Sequence, residues 1–261
     1  MIDPTMEMLV LLALAAFVAG FVDSIAGGGG LVTVPALLLA GFAPVEALGT
    51  NKLQGLFGAA SATIAYAAGG HVDLRRQLPS AALAGIGGVA GALLATVLPG
   101  DVLRILMPFL LIAIALYFAL KPDMGDLDRA QRLSPALFAM TVAPAIGFYD
   151  GVFGPGTGSF FMLAFVALAG YGVLKATAHT KLLNFASNVG GFAAFALVGA
   201  VAWKAGLVMG AAQFAGARLG ARLAMRKGAR LIRPLLVVTC VALAVRLLAD
   251  PQNPIHARLI G

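Results

Sequence analysis

Apolar blocks separated by short breaks fill almost the whole chain. They predict helices at roughly 6–22, 31–42, 45–68, 80–98, 102–120, 134–150, 158–170, 173–199, 204–225 and 231–249. Charge-free stretches such as 80–98, 110–120, 134–149 and 182–203 would overfill a soluble core of this size, whereas each membrane-spanning helix needs about 20 apolar residues. The one long hydrophilic stretch, 121–132, separates two sets of five helices. The expected organisation is a first repeat at 1–120, a cytoplasmic linker at 121–133 and a second repeat at 134–261. The second helix of each set has only about 12 residues and covers little more than half of a roughly 30 Å hydrocarbon layer. It is either a short span or a re-entrant half-helix.

Both sets carry the same unusual pattern. Gly20-Phe21-Val22-Asp23 followed by Gly27-Gly28-Gly29-Gly30 returns as Gly147-Phe148-Tyr149-Asp150 followed by Gly154-Pro155-Gly156-Thr157-Gly158. Thr50-Asn51-Lys52-Leu53 is then answered by His179-Thr180-Lys181-Leu182. The aspartates stand 127 residues apart and the lysines 129. A weaker echo links 91–108 with 216–234. Duplicated, glycine-broken apolar segments that carry charge are a mark of secondary transporters with a site near the membrane midplane.

Each set crosses the membrane an odd number of times whether or not its short helix spans, so the second set enters upside down. The basic residues support this independently, because cytoplasmic loops collect Lys and Arg. One face receives Arg75, Arg76, Lys121, Arg129, Arg132, Lys175, Arg226, Lys227, Arg230 and Arg233, and the other only Arg104, Lys204, Arg246 and Arg258. Equivalent loops have opposite bias, as inverted repeats require. Both termini are then expected outside the cytoplasm. The net charge of +7 follows from this bias and needs no nucleic-acid partner.

Composition agrees: 61% of residues are hydrophobic and 11% charged, with mean hydropathy +0.96. This is expected to be a membrane domain without a soluble appendage. The amino terminus carries Asp3 and Glu7, and no Lys or Arg precedes Lys52, so it reads as a retained first helix and not a cleaved signal. A single cysteine, Cys240, excludes disulfide and Cys-x-x-Cys chemistry and reads as a small buried apolar residue. Three scattered histidines make no metal cluster. No nucleophile stands with a base, so neither an enzyme nor a cofactor is expected.

The string Asp-Ser-Ile-Ala-Gly-Gly-Gly-Gly-Leu-Val-Thr-Val-Pro at 23–35, Gly-Thr-Asn-Lys-Leu-Gln at 49–54 and Ala-His-Thr-Lys-Leu-Leu-Asn at 178–184 resemble the TauE/SafE sulfite exporter family, also called the toluene sulfonate uptake permeases. The resemblance covers nearly the whole chain. It implies transport of small sulfur-containing or carboxylated organic anions, with cargo varying among members. The second glycine motif departs from the first by carrying Pro155 and Thr157, so the two half-sites need not be equivalent.

The residues themselves suit an anion. Glycine runs let backbone leave helical geometry, and the following helices begin with free N–H groups and a positive dipole end. The donors are Gly29, Gly30 and Leu31 in one copy and Gly156, Thr157 and Gly158 in the other. Tight helix packing is the alternative use of the glycines. Lys52 and Lys181 either neutralise the anion together or pair with Asp23, Asp150 or Glu46, or snorkel to a surface. Asp23 and Asp150 are candidate proton carriers, or else caps and ion-pair partners. His179 reads as a hydrogen-bond donor to the ligand or a second proton carrier. Thr50, Asn51, Gln54, Thr180, Asn184, Ser187 and Asn188 extend the candidate site, Lys181, Asn184 and Asn188 sharing one helix face.

The expected fold is thus an all-α integral membrane protein of two inverted-topology repeats, each a glycine-broken, re-entrant or short-spanning pair plus three transmembrane helices. The expected function is alternating-access transport of a small anion such as sulfite, sulfonate or sulfoacetate across the bacterial inner membrane. Electrical potential favours export of an anion, and uptake would need a coupling proton or sodium. An anion channel is the alternative.

Overall fold

This computed structural model describes residues 4–97, 112–113, 116, 119–120 and 125–249. Every regular element among them is helical: α1 (Met6–Ala26), α2 (Gly30–Leu39), α3 (Pro44–Ala68), α4 (Leu74–Ala95), α5 (Pro135–Val152), α6 (Thr157–Ala167), α7 (Val173–Leu197), α8 (Trp203–Lys227) and α9 (Ala229–Leu248). The helix expected at 102–120 lies largely outside the described residues, as do Arg104, Lys121, Arg258 and the side chain of Cys240. The expected start of α4 at residue 80 is corrected to Leu74. Asp73 caps that end by accepting a hydrogen bond from the Arg76 N–H at 3.1 Å, and the first turn is too polar to register as apolar sequence.

α1, α4 and α5 are long and apolar enough to cross a membrane, and α3, α7 and α8 have 25 residues each. α2 and α6, with 10 and 11 residues, reach only about 15 Å. Each runs back along the helix before it. Phe165 of α6 stacks on Phe138 near the start of α5, ring centroids 4.7 Å apart. Leu37 of α2 shares an apolar cluster with Leu9 and Leu12 near the start of α1. Folding back in this way is what the re-entrant reading of the sequence requires. α5 opens its first turns into a wider π segment, Phe138–Val142, just ahead of Pro144, whose ring would otherwise crowd the preceding turn.

The long helices pack across the two halves of the sequence. α8 lies on α1 and α3, α4 lies on α5 and α7, and α3 meets α7. Small residues permit the close approach: a methyl added at Gly91 would lie 2.0 Å from the Phe148 carbonyl oxygen, and one at Gly216 would lie 2.0 Å from that of Phe17. These contacts form matched sets, α8 with α1 and α3 against α4 with α5 and α7.

The segment before α5 straps one end of the bundle. Asp126 accepts from the N–H groups of Leu174 and Ala229, so one carboxylate caps the starts of both α7 and α9. Asp128 accepts from the Gly172 N–H at 2.9 Å and pairs with Lys175 at 2.5 Å. Slight burial would raise the Asp128 carboxyl, but Lys175 and the Gly172 N–H outweigh it and hold it below the usual carboxylate range. A group depressed in the folded state stabilises fully above its unfolded value and loses that contribution as pH falls through its folded one. Hydrogen exchange at Gly172, corrected for intrinsic rate, should therefore accelerate on acidification, and Asp128→Asn should remove that pH dependence.

Candidate functional site

The glycine-rich breaks do what their composition suggests. α1 ends at Gly27 (φ 80°), α2 begins at Gly30, and the partner break contains Gly154 and Gly156 with φ 89° and 84°, a region L-residues rarely adopt. The two breaks cross in direct backbone contact. A methyl at Gly27 would sit 2.5 Å from the Ser159 nitrogen, and one at Gly158 would sit 2.8 Å from the Gly27 Cα. The Ser159 hydroxyl donates to the Ala26 carbonyl at 3.0 Å, tying one break to the other. Tyr66 and Tyr149 brace them by donating to the carbonyls of Ser24 and Pro155, at 2.8 and 2.6 Å.

Both lysines belong to this crossing, and each reaches into the opposite half. Lys52 pairs with Asp150 at 2.8 Å, and Lys181 with Asp23 at 3.2 Å. They are 1% and 0% exposed, too deep for snorkelling. Each ammonium also donates to the backbone carbonyl of its aspartate, Lys52 to Asp150 and Lys181 to Asp23. That carbonyl lies in the last turn of α1 or α5, the negative end of the helix dipole, where a cation is favoured. The carboxylates face the complementary ends. Asp23 accepts from the Gly29 N–H at 3.0 Å at the start of α2, and Asp150 accepts from the Thr157 hydroxyl at 2.8 Å at the start of α6. Asp150 also accepts from Ser187 at 2.6 Å. The pairs are therefore unequal: Thr157 and Ser187 hold Asp150, and no hydroxyl donor among the described residues holds Asp23.

Between these pairs lies a cavity of about 30 Å³, lined by Asp23, Asp150, glycines of both breaks, and the amides of Asn51, Gln54, Asn184, Asn188 and Gln213, together with Thr157. Gly29, Gly30 and Gly156 lie on its wall. Asn51 Oδ1 accepts from the Thr33 hydroxyl at 2.6 Å and from Gln54 Nε2 at 2.7 Å. Asn188 donates to the backbone and side-chain oxygens of Asn184.

Several expected participants stand elsewhere. The ammonium groups of Lys52 and Lys181 do not line the cavity; they are held by the aspartates behind its wall. Of the expected backbone donors, the Gly29 N–H is taken by Asp23, that of Leu31 by the Gly28 carbonyl and that of Thr157 by the Gly154 carbonyl. His179 faces away: its Nδ1 donates to the Lys175 carbonyl at 2.8 Å and its ring meets Tyr171 edge-on at 4.9 Å. It lines a separate cleft with His71, Asp73, Arg75, Arg76 and Lys175 near the strap. Thr180 is buried outside the cavity, and Thr50 accepts from the Ala202 N–H at 2.9 Å at the start of α8. Gln213 is the residue that sequence reasoning missed. Its signal was a lone carboxamide in the otherwise apolar run 205–217.

The profile of the family described as sulfite exporter TauE/SafE matches residues 12–247. A Sinorhizobium protein described as a probable membrane transporter protein, ORF9, is 64% identical over 254 residues, which span 97% of each chain. The Escherichia coli K12 probable membrane transporter protein YfcA is 48% identical over 94% of this chain and 91% of its own. The Bacillus subtilis probable membrane transporter protein YunE is 25% identical over 92% of this chain and 97% of its own. No solved structure matches. With both halves of the crossing inside the matched region, the chain belongs to the TauE/SafE sulfite exporter family of membrane transporters.

Proposed function

We propose that this protein is a secondary transporter that moves a small sulfur-containing or organic anion, of the sulfite, sulfonate or sulfoacetate kind, across the bacterial inner membrane by alternating access. The observation that carries the reading is the crossing of two broken helix pairs, each holding its charged residues against the other half of the sequence. Such crossings belong to inverted repeats, and the matched contacts of α8 and α4 support two repeats at 1–120 and 134–261 joined by the linker at 121–133. Strap, α4 start and α9 start carry Arg129, Arg132, Arg75, Arg76 and Arg230 at one end of the bundle, which supports a cytoplasmic linker and outward termini.

In this state the cavity, about 30 Å³, is close to the share of a single water molecule, and we read loading of an anion as a step in which the two halves move apart. That favours a carrier over an open channel. With both aspartates matched by lysines, the resting site is neutral. A buried anion therefore needs a compensating positive charge, and two sources are at hand. An entering anion can take the place of Asp23 or Asp150 beside its ammonium while the freed carboxyl binds a proton, or a cation can enter with the anion. Asp23, with fewer donors, is the carboxylate that yields first. The site in this reading comprises Lys52, Lys181, Asp23, Asp150, Gly29, Gly30, Gly156, Thr157, Asn51, Gln54 and Asn184.

The test is flux in liposomes. Protein reconstituted with sulfite, taurine, sulfoacetate or a plain carboxylate inside should release at least one of these anions saturably, and Asp23→Asn should slow release more than Asp128→Asn. Release that never saturates would favour the channel, and no release of any of the four would remove the proposed cargo class.

A further inference from the structure

We infer that the central cavity is also a binding site for a desolvated monovalent cation of sodium size, held by the carboxamide oxygens of Gln213, Gln54 and Asn188. This deepens the transporter reading, on which it rests for its purpose, by naming the second solute of the site.

Two of the residues lining the cavity carry a buried acceptor that no donor meets among the described residues. Gln54 is 1% exposed and Gln213 is 3% exposed. Gln54 donates through Nε2 to Thr33 and Asn51, which leaves its Oε1 without a donor among the described residues. Gln213 Oε1 is likewise without one. Asn188 has its amide nitrogen engaged by Asn184, which turns its own Oδ1 toward Gly55, where an added methyl would lie 2.9 Å from it. All three residues line the same cavity. Buried acceptors left unmatched are costly, and an anion would aggravate the mismatch where a cation relieves it.

Charge and size narrow the cation. Carbonyl-type oxygens suit hard cations. Divalent ions usually need net carboxylate charge, and here Lys181 and Lys52 already neutralise Asp23 and Asp150. A volume of about 30 Å³ accommodates a bare ion or a water or two, and no hydrated ion. In broken-helix transporters, unwound backbone carbonyls commonly hold sodium. Here the carbonyls of Asp23 and Asp150 are taken by the lysines, and side-chain amides stand in their place.

The location gives the ion a mechanical role. Gln213 belongs to α8, Gln54 to α3 and Asn188 to α7, so one ion bridges three helices from both halves of the sequence. The Gln213 side chain is seated on Gly20 and Gly58, where added methyls would lie 2.7 and 2.6 Å from its atoms. That seat prevents its amide from swinging out to another partner. Cation binding would thus close the halves and supply the positive charge that a buried anion needs.

Thermal unfolding of the purified protein tests this without any organic anion present. Sodium, potassium and choline chlorides are compared at constant ionic strength. Sodium should raise the melting temperature saturably and choline should not. Gln213→Leu should raise the half-saturating sodium concentration about tenfold, the equivalent of one lost ligand of ~1.4 kcal/mol. Gln213→Glu adds negative charge and should lower it, which keeps the test decisive if the leucine variant folds poorly. Identical melting in sodium and choline, or an equal effect of potassium, overturns the inference. Anion flux into sodium-free liposomes separates the two readings: flux that persists there removes sodium coupling and leaves transport standing.

Discussion

Lys52→Met is expected to destabilise the protein by about 3–5 kcal/mol, because it strands the Asp150 carboxylate in a site where that aspartate is only 2% exposed. The Thr157 and Ser187 hydroxyls remain, but hydroxyl dipoles do not cancel a full buried charge. The double variant Lys52→Met with Asp150→Asn removes both charges together, and it should recover most of the lost melting temperature while remaining unable to transport. The same logic applies to Lys181→Met and its rescue by Asp23→Asn. Comparison of melting temperatures for single and double variants measures the coupling directly. If the double variant melts no higher than the single one, the pairing does not carry the stability assigned to it. If it melts higher and also transports, the charges are scaffolding for the broken helices and nothing more.

Gly27→Ala is the second large effect. The residue has φ 80°, which costs an L-residue about 1–2 kcal/mol by itself. Its new methyl would also lie 2.5 Å from a backbone nitrogen of the other break, a contact that nothing short of moving the crossing can relieve. Overpacking of this kind adds about 1–3 kcal/mol. Gly70 supplies the control, since its φ is 75° and nothing lies within 4 Å of an added methyl. Gly70→Ala should therefore show the conformational cost alone, and the difference in melting temperature between the two variants isolates the helix crossing. Equal losses would mean that the breaks do not bear on each other as closely as described.

The residues differ in how far the chain alone revealed them. Asp23, Lys52, Asp150 and Lys181 were visible because each is a charge inside apolar sequence and each recurs in the other half. Asn184 and Asn188 follow Lys181 on one helix face, and they line the cavity as that spacing implies. His179 shows the opposite outcome. It precedes Lys181 by two residues, about 200° around a helix, so the two leave the helix on opposite sides, and the helical angle held the answer that motif adjacency obscured. Gln213 has no polar counterpart that the repeat pattern singles out, and its place in the site depends on α8 packing against α1 and α3.

By itself the sequence determined the membrane class, the duplicated motifs, the short broken helices and the identity of the charged residues. These are properties of composition and of order along the chain, and each survives any arrangement of the helices. Tertiary structure decided that the short helices fold back, that each lysine neutralises the aspartate of the opposite half, and that Gln213 joins Gln54, Asn184 and Asn188 around the central cavity. Buried charges and acceptors take whichever partners the packing brings within about 3 Å. Here α8 and α4 pack across the halves and the two breaks cross, so those partners lie roughly a hundred residues or more away.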